Sequence, residues 1–172
     1  MTAMDAFEQI THGGGNDFAD VVQVLAAHGP WCLIGGLAVN AYVEPVYTLD
    51  ADIVVVVHAL PAIRADLERL GFKTETFPHS LNARRGASDL SIQFSTDTRY
   101  QDFIAKTERR SVLGIEVPVA TLENLVRGKV WAWSDPNRRA TKRKKDELDL
   151  LRIAEVHPSM RGVIPAEIIA QL

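Results

Sequence analysis

The sequence contains little cysteine and no long apolar run, and both shortages narrow the classes of protein to which it can belong. Its single cysteine, Cys32, excludes an internal disulfide and a multi-cysteine zinc site, and favours a reducing compartment. No apolar run approaches the roughly 20 residues of a membrane-spanning helix. The first residues also lack the basic start and apolar run of a secretory signal. We therefore expect a cytoplasmic protein that does not enter a membrane.

An overall excess of positive charge is also missing. The formal net charge is −3 over 172 residues, which does not suggest a dedicated nucleic-acid binder. One segment is an exception, because "RRATKRKK" holds six cations in eight residues: Arg138, Arg139, Lys142, Arg143, Lys144 and Lys145. Such a block is usually a solvated helix face. It can also bind the phosphates of tRNA or another RNA, and the sequence alone leaves both interpretations open.

Apolar residues are plentiful, at 47% of the chain, and can form one hydrophobic core. The segments "WCLIG" and "ADIVVVV" are typical of buried strands, and "GLAVNAYVE" (36–44) between them predicts a helix that ends before Pro45. Pro61 and Gly71 bracket the next helix. Shorter extended pieces follow, with "NARRGAS" (82–88) expected as a loop and "RYQDFIAKTE" (99–108) as a helix.

The last third of the chain is helical in pattern. We therefore predict a single α+β domain over 1–172, with a mixed β-sheet flanked by helices. Its core covers about 17–120, and its C-terminal helical part covers about 121–172.

Two carboxylates, Asp50 and Asp52, open the strand with four consecutive valines. Residues two apart in a strand point to the same face, so these carboxylates lie side by side and repel each other unless a cation lies between them. Mg²⁺ or Mn²⁺ suits such a pair, because hard divalent ions take oxygen ligands and leave room for substrate phosphates. The alternative is an ordinary turn, in which both side chains cap backbone groups.

A glycine pair, Gly35 and Gly36, precedes these carboxylates at the start of a predicted helix. Glycine allows close backbone approach, and free N–H groups at a helix start attract anions. The pair therefore predicts a phosphate site next to the metal site, as an NTP substrate would require.

The glycine pair, the thirteen residues from Leu37 to Leu49, and the Asp-x-Asp at the start of an apolar strand resemble the signature of the nucleotidyltransferase superfamily related to DNA polymerase β. The stretches "YTLDADIVV" and "VPVATLENLVRGKVWAW…KRKKDELDLL" resemble the AbiEii-type nucleotidyltransferases, known as toxins of toxin–antitoxin and phage-defence systems. The resemblance covers roughly Trp31 to Ile153.

The resemblance implies the nucleotidyltransferase fold and a role for several residues. Asp50 and Asp52 would bind the metal ions, and Asp89 in "SDLSIQF" matches the third carboxylate on a neighbouring strand. Lys129 matches a lysine that neutralises the triphosphate, and Asp146 matches an acidic residue facing the active site. A surface role for Lys129 and Asp146 is the open alternative.

The expected reaction is therefore transfer of a nucleoside monophosphate from an NTP to an acceptor, by a nucleotidyltransferase of the EC 2.7.7 type. The acceptor is expected to be tRNA, another RNA or a protein hydroxyl, and a cognate antitoxin is a further expected partner. Two alternatives stay open: a catalytically degenerate protein that binds a nucleotide or a partner, and a small-molecule nucleotidyltransferase of the antibiotic-modifying kind.

Overall fold

The computed structural model describes all residues from 1 to 172 and contains one mixed sheet of seven strands. The strands are β1 (Trp31–Ile34), β2 (Asp50–Val55), β3 (Lys73–Phe77), β4 (Ser80–Arg84), β5 (Ser91–Ser95), β6 (Thr107–Val112) and β7 (Ile115–Ala120). The α-helices are α1 (Ala3–Ile10), α2 (Gly14–Ala26), α3 (Gly35–Val39), α4 (Leu60–Arg69), α5 (Leu122–Ser134), α6 (Ala140–Val156) and α7 (Ala166–Ile169). Three 3₁₀ helices cover Val57–Ala59, Thr98–Ala105 and Pro158–Val163.

The two apolar strands predicted from the sequence, β1 and β2, lie inside the sheet, whose order is β3-β4-β5-β2-β1-β7-β6. β2 pairs antiparallel with β1 and parallel with β5, while β1 pairs parallel with β7. Their β-branched side chains suit these positions because all four residues of β1 and the last three of β2 are buried, so both faces of these strands are covered. The helices form two groups: α2 packs against α4, and α5 and α6 pack against each other and against α3.

The helix predicted over 36–44 is much shorter, since α3 ends at Val39. The next residue, Asn40, provides the physical reason, because its side chain binds the backbone further along. Its Nδ2 donates to the Val46 carbonyl at 2.8 Å, and the Val46 N–H donates to its Oδ1 at 3.1 Å. This local closure competes with helical hydrogen bonds and turns the chain into a loop that leads to β2.

Two further expectations from the sequence are wrong. Residues 82–84 were expected in a loop but belong to β4, and the predicted helix over 99–108 is a 3₁₀ helix that stops at Ala105, before β6. Both strands are rich in polar residues, so their apolar pattern is weak. The predicted α+β fold, with a mixed β-sheet flanked by helices, is confirmed. None of the helices combines the length and the apolar character needed to span a membrane.

The sheet order predicts that two phenylalanines on strands contribute very differently to stability. Phe94 on β5 is fully buried, whereas Phe77 on the edge strand β3 is 42% exposed. Phe94→Ala should lower the free energy of unfolding by about 3–5 kcal/mol, because it leaves a cavity in the core. The matched change Phe77→Ala should cost less than about 1 kcal/mol. Urea unfolding of both variants measures this, and equal losses would contradict the placement of β5 inside the sheet.

Candidate active site

The turn between β1 and α3 lies directly against Asp52. In the register of β1 and β2, Ile34 is opposite Asp52, and the next residue, Gly35, has a φ of +73°. A Cβ atom on Gly35 would lie 2.1 Å from Oδ2 of Asp52. Glycine is therefore required here both for the left-handed backbone and for the space that the carboxylate occupies. At Gly36 a Cβ would meet nothing closer than 3.7 Å, so this second glycine is not required by contact.

Asp50 and Asp52 are neighbours on one face of β2, as predicted, but their surroundings differ. The Asp50 carboxylate accepts a hydrogen bond from Nζ of Lys142 at 2.7 Å. The Asp52 carboxylate has no hydrogen-bond or ion-pair partner. Burial, followed by the charge of Asp50, raises the pKa of Asp52 to about 6. Asp52 is thus an unpartnered carboxylate facing the open space beside the glycine turn.

Lys129 lies in a buried ion network between α5 and α6. Its Nζ is 3.0 Å from Oδ1 of Asp146 and 2.7 Å from Oδ2 of Asp149, which lie three residues apart on one face of α6. Arg138 binds the other oxygen of Asp146 at 2.9 Å, and Arg152 binds Asp149 at 2.6 Å. Burial opposes the charged form of Lys129, but Asp149 and Asp146 outweigh it, so the pKa of Lys129 is raised. The network holds its members in place because removal of any one of them takes an opposite charge away from a buried neighbour.

These side chains line a cleft made of two adjoining cavities. Both cavities share Asp52, Lys129, Arg138 and Asp146 as a common wall. We call one the cationic chamber; its other lining residues include Gly36, Thr48, Asp50, Lys142, Lys145 and Asp149. We call the other the aromatic chamber; its other lining residues include Gly35, Gln93, Ser95, Tyr100, Phe103 and Ala132.

Asp89, the predicted third carboxylate, is not brought to this cleft. It lies two residues before β5, and the register of β2 and β5 puts Ser91 beside Asp50 and Gln93 beside Asp52. The Asp89 carboxylate instead pairs with Nδ1 of His12 at 2.7 Å, and both side chains are largely exposed. The position next to Asp52 on the neighbouring strand therefore carries an amide rather than a carboxylate.

The basic segment is largely engaged in ion pairs and backbone contacts within the chain. Besides the contacts of Arg138 and Lys142 with acidic residues of the cleft, Lys144 pairs with Glu147. Arg143 donates to the Asp135 carbonyl. Of the six cations, Arg139 and Lys145 make no such contact, and only Arg138, Lys142 and Lys144 pair with carboxylates, so half of the charge of the segment is neutralised within the chain.

Sequence reasoning missed several of these residues. Gln93 could have been found by testing each polar residue of "DLSIQF" as the partner of Asp52, but strand register is set by tertiary pairing. Lys142 gave no local signal, because it lies 92 residues from Asp50 in the chain. Tyr100 and Phe103 pack edge-to-face at 5.2 Å between ring centres and gave only the apolar pattern of a helix.

The chemistry of the cleft fits a divalent cation. The unpartnered Asp52 carboxylate next to Asp50 forms a pair of oxygen donors, and the Gln93 amide lines the cavity beside them. The chain has no cluster of three or more acidic, histidine or cysteine side chains suited to a metal. Two carboxylates suffice for Mg²⁺ when substrate phosphates complete its coordination.

No protein-family model matches the sequence, and no curated protein matches it. Several solved structures do resemble the chain. ANT(2'')-Ia in complex with adenylyl-2''-tobramycin has a TM-score of 0.62 at 16% identity, over 91% of this chain and 97% of that one.

The solution structure of the same antibiotic-resistance factor has a TM-score of 0.58 at 17% identity, over 91% and 93% of the two chains. An antigenic nucleotidyltransferase-like protein from Paracoccidioides brasiliensis has a TM-score of 0.51 at 14% identity, over 80% and 76%. The narrower resemblance to AbiEii-type proteins stays a prediction. The architecture of this chain is that of the nucleotidyltransferase fold.

Proposed function

We propose that this chain is a metal-dependent nucleotidyltransferase that moves a nucleoside monophosphate from an NTP to a hydroxyl group of a small molecule. The new bond joins the hydroxyl oxygen to the α-phosphate, pyrophosphate leaves, and the hydroxyl proton is released to solvent. The observation that carries the proposal is the unpartnered Asp52 carboxylate, which lies beside Asp50 and the Gly35 turn on the wall between two chambers. A carboxylate in this environment is costly unless a cation binds it. The cleft is thus suited to a metal-bound nucleotide.

The two chambers suit the two substrates. The cationic chamber carries Lys142 and Lys145 besides the shared Lys129 and Arg138. Its carboxylates Asp50 and Asp52 would bind the metal ion that accompanies a triphosphate, so the chamber suits a metal-bound triphosphate. The aromatic chamber carries Tyr100 and Phe103 with a few polar groups, so it suits an organic molecule. The α-phosphate would then lie near Asp52, where the chambers meet.

Asp50 and Asp52 would hold Mg²⁺ or Mn²⁺ between them. When bound, the ion stabilises charge on the phosphate oxygens and lowers the pKa of the acceptor hydroxyl. Lys129 and Arg138 place two cationic groups on the wall between the chambers, where charge develops on the phosphate. Asp146 and Asp149 hold Lys129 in one position, so we assign them a positioning role.

The acceptor is better matched by a small molecule than by RNA. Lys142, Lys144 and Arg138 are neutralised by carboxylates of the same chain, which weakens the electrostatic attraction that RNA binding needs. The similarity to ANT(2'')-Ia, which was solved with an adenylylated aminoglycoside, supports the same choice. A toxin role, an RNA or protein acceptor and a cognate antitoxin stay predictions of the sequence resemblance.

A nucleotide-binding protein without transferase activity is the second candidate, and Gln93 is the observation that favours it. An amide beside Asp52 can offer a neutral oxygen to a metal, but it cannot add a third negative charge. If the wild type binds Mg²⁺–NTP without transfer, Gln93→Asp should reveal whether the missing charge is the cause.

Transfer should depend on Asp52. Asp52→Asn removes the charge of the unpartnered carboxylate and should lower the transfer rate at least about a hundredfold, a barrier increase of roughly 2.7 kcal/mol. The assay incubates the protein with Mg²⁺ and each of the α-labelled NTPs, together with aminoglycosides, total tRNA or cell lysate. Labelling of an aminoglycoside supports the proposed acceptor class, and labelling of tRNA contradicts it.

The matched change Asp89→Asn tests the residue that the sequence predicted as the third carboxylate. Asp89 does not line the cleft. Because Asp89 pairs with His12 outside the cleft, this variant should keep the transfer rate within about twofold of the wild type, the size of an ordinary surface substitution. A wild-type rate for Asp52→Asn would refute the proposed function. An equal loss of transfer rate in both variants would indicate that Asp89 takes part in the site.

The raised pKa of Asp52 also predicts a stability change with pH. Its folded pKa of about 6 lies above the ordinary 3.8, so its contribution to stability is present below pH 4 and is lost as the pH rises through 6. Asparagine does not titrate. The melting temperature of Asp52→Asn relative to the wild type, in EDTA, should therefore rise between pH 4 and pH 8.

Asp97→Asn is the control, because the pKa of Asp97 is shifted in the opposite direction to that of Asp52. Its hydrogen bonds from Arg99 lower the pKa of Asp97, so this carboxylate stabilises the fold above its ordinary pKa. The relative melting temperature of Asp97→Asn should therefore fall as the pH rises through the region below the ordinary pKa of 3.8, and should stay nearly level between pH 4 and pH 8. Parallel curves for the two variants would contradict the electrostatics of the cleft.

A further inference from the structure

Lys142 is the cation of the cleft whose bonding partner is itself a candidate metal ligand. Its Nζ lies 2.7 Å from Oδ2 of Asp50, and each side chain is about one-third exposed, at 36% and 35%. Lys142 also lines the cationic chamber, which we assign to the triphosphate. One ammonium group is therefore within reach of both the metal-binding carboxylate and the space for the phosphates.

The other cations of the chamber are held differently. Lys129 is bound by two buried carboxylates, Asp146 and Asp149, and Arg138 is bound to Asp146. Moving either cation would take away one of the two cationic partners of a buried carboxylate, which is unfavourable. Lys145 lines the same chamber and pairs with no carboxylate. Lys142 alone combines a carboxylate partner in the metal site with partial exposure and freedom to move.

We propose that Lys142 exchanges partners when the nucleotide binds. In the nucleotide-free protein its ammonium neutralises Asp50. When Mg²⁺–NTP occupies the cleft, the ammonium leaves Asp50 and donates to the phosphate oxygens in the cationic chamber. This inference rests on the proposed function, because it assumes that the chamber binds a metal–nucleotide complex.

Charge and side-chain chemistry make the exchange favourable. A divalent cation on Asp50 repels the ammonium, while a triphosphate offers it several charged oxygens a short distance away. Lysine suits both positions because its compact charge sits on a flexible four-carbon stem with three donors. The loss of one ion pair is thus offset by the gain of another.

The exchange couples metal and nucleotide binding. Metal ion without nucleotide must displace Lys142 from Asp50 and leaves the ammonium without a partner. Metal ion with nucleotide gives the ammonium a new partner. Lys142 therefore weakens the binding of the ion alone and strengthens the binding of the nucleotide, a positive coupling between two ligands.

The test uses Lys142→Met, which keeps most of the side-chain volume and removes the charge. Mn²⁺ is the probe, and the electron paramagnetic resonance of free Mn²⁺ measures its binding to the nucleotide-free protein at pH 7.5. Nucleotide binding is measured by calorimetry at saturating Mn²⁺, with the non-hydrolysable analogue of ATP, GTP, CTP or UTP that the wild type binds best.

Lys142→Met should bind Mn²⁺ alone about fivefold more tightly than the wild type, the equivalent of one ion pair of about 1 kcal/mol. The same variant should bind the Mn²⁺–nucleotide complex about tenfold more weakly, because a charge-assisted phosphate contact is lost. These two effects have opposite signs, which a purely structural role of Lys142 would not produce.

Lys145→Met is the matched control, since it removes one positive charge from the same chamber without releasing a carboxylate. It measures the general effect of lost charge, so its gain in Mn²⁺ affinity should be clearly smaller than that of Lys142→Met. If Lys142→Met does not fold, as judged by its melting curve, Lys142→Gln takes its place.

The proposal is overturned if Lys142→Met binds Mn²⁺ no more tightly than Lys145→Met, or if it keeps the nucleotide affinity of the wild type. Binding of Mn²⁺–nucleotide by the wild type without transfer to any acceptor would refute the proposed function alone. The opposite effects of Lys142→Met would then still support the exchange. A wild type that binds no Mn²⁺–nucleotide would overturn both.

Discussion

The antiparallel pairing of β1 with β2 is the constraint on which the cleft depends. It places Ile34 opposite Asp52, so the chain must turn at Gly35 immediately beside a carboxylate. The positive φ of this glycine and the lack of a side chain let the backbone pass within contact distance of Asp52. Any other residue would place a Cβ atom on the Asp52 carboxylate, so the turn or the carboxylate would have to shift.

Electrostatic balance is the second organising feature. Asp146 and Asp149 are almost fully buried, yet Lys129, Arg138 and Arg152 surround them with fixed positive charge. Buried ion pairs of this kind add little net stability, because desolvation offsets most of their attraction. Their value lies in geometry: they hold cations at a defined place in the cleft. The raised pKa of Asp52 marks a carboxylate for which this balance is incomplete.

The sequence predicted the two central strands and the position of the glycine pair near Asp50 and Asp52, and the reasons are local. β1 and β2 have strong apolar, β-branched patterns, and the glycine pair and Asp50 with Asp52 are recognisable from spacing alone. The polar strands β4 and β6 lacked such a pattern, since strands near the sheet edges expose many side chains.

The third position of the site could not be predicted for a different reason. Asp89 and Gln93 are four residues apart, so both would point to one face of an extended chain. Only the pairing of β2 with β5 decides which of them lies beside Asp52. The partners of Asp50 and Lys129 were equally inaccessible to local reasoning. They lie on α6, which reaches the cleft through packing between segments distant in the chain.

The contacts of Arg152 indicate when the cleft is completed during folding. It donates to Asn40 and to the Glu44 carbonyl across more than a hundred residues of chain, and it binds Asp149 on its own helix. The loop that leads from α3 into β2 is therefore held closed by a helix near the C-terminus. Contacts between such distant segments form late, because the entropy of closing a long loop must first be overcome. During synthesis the sheet strands emerge before α6, so the chain acquires a complete cleft only after α6 has docked.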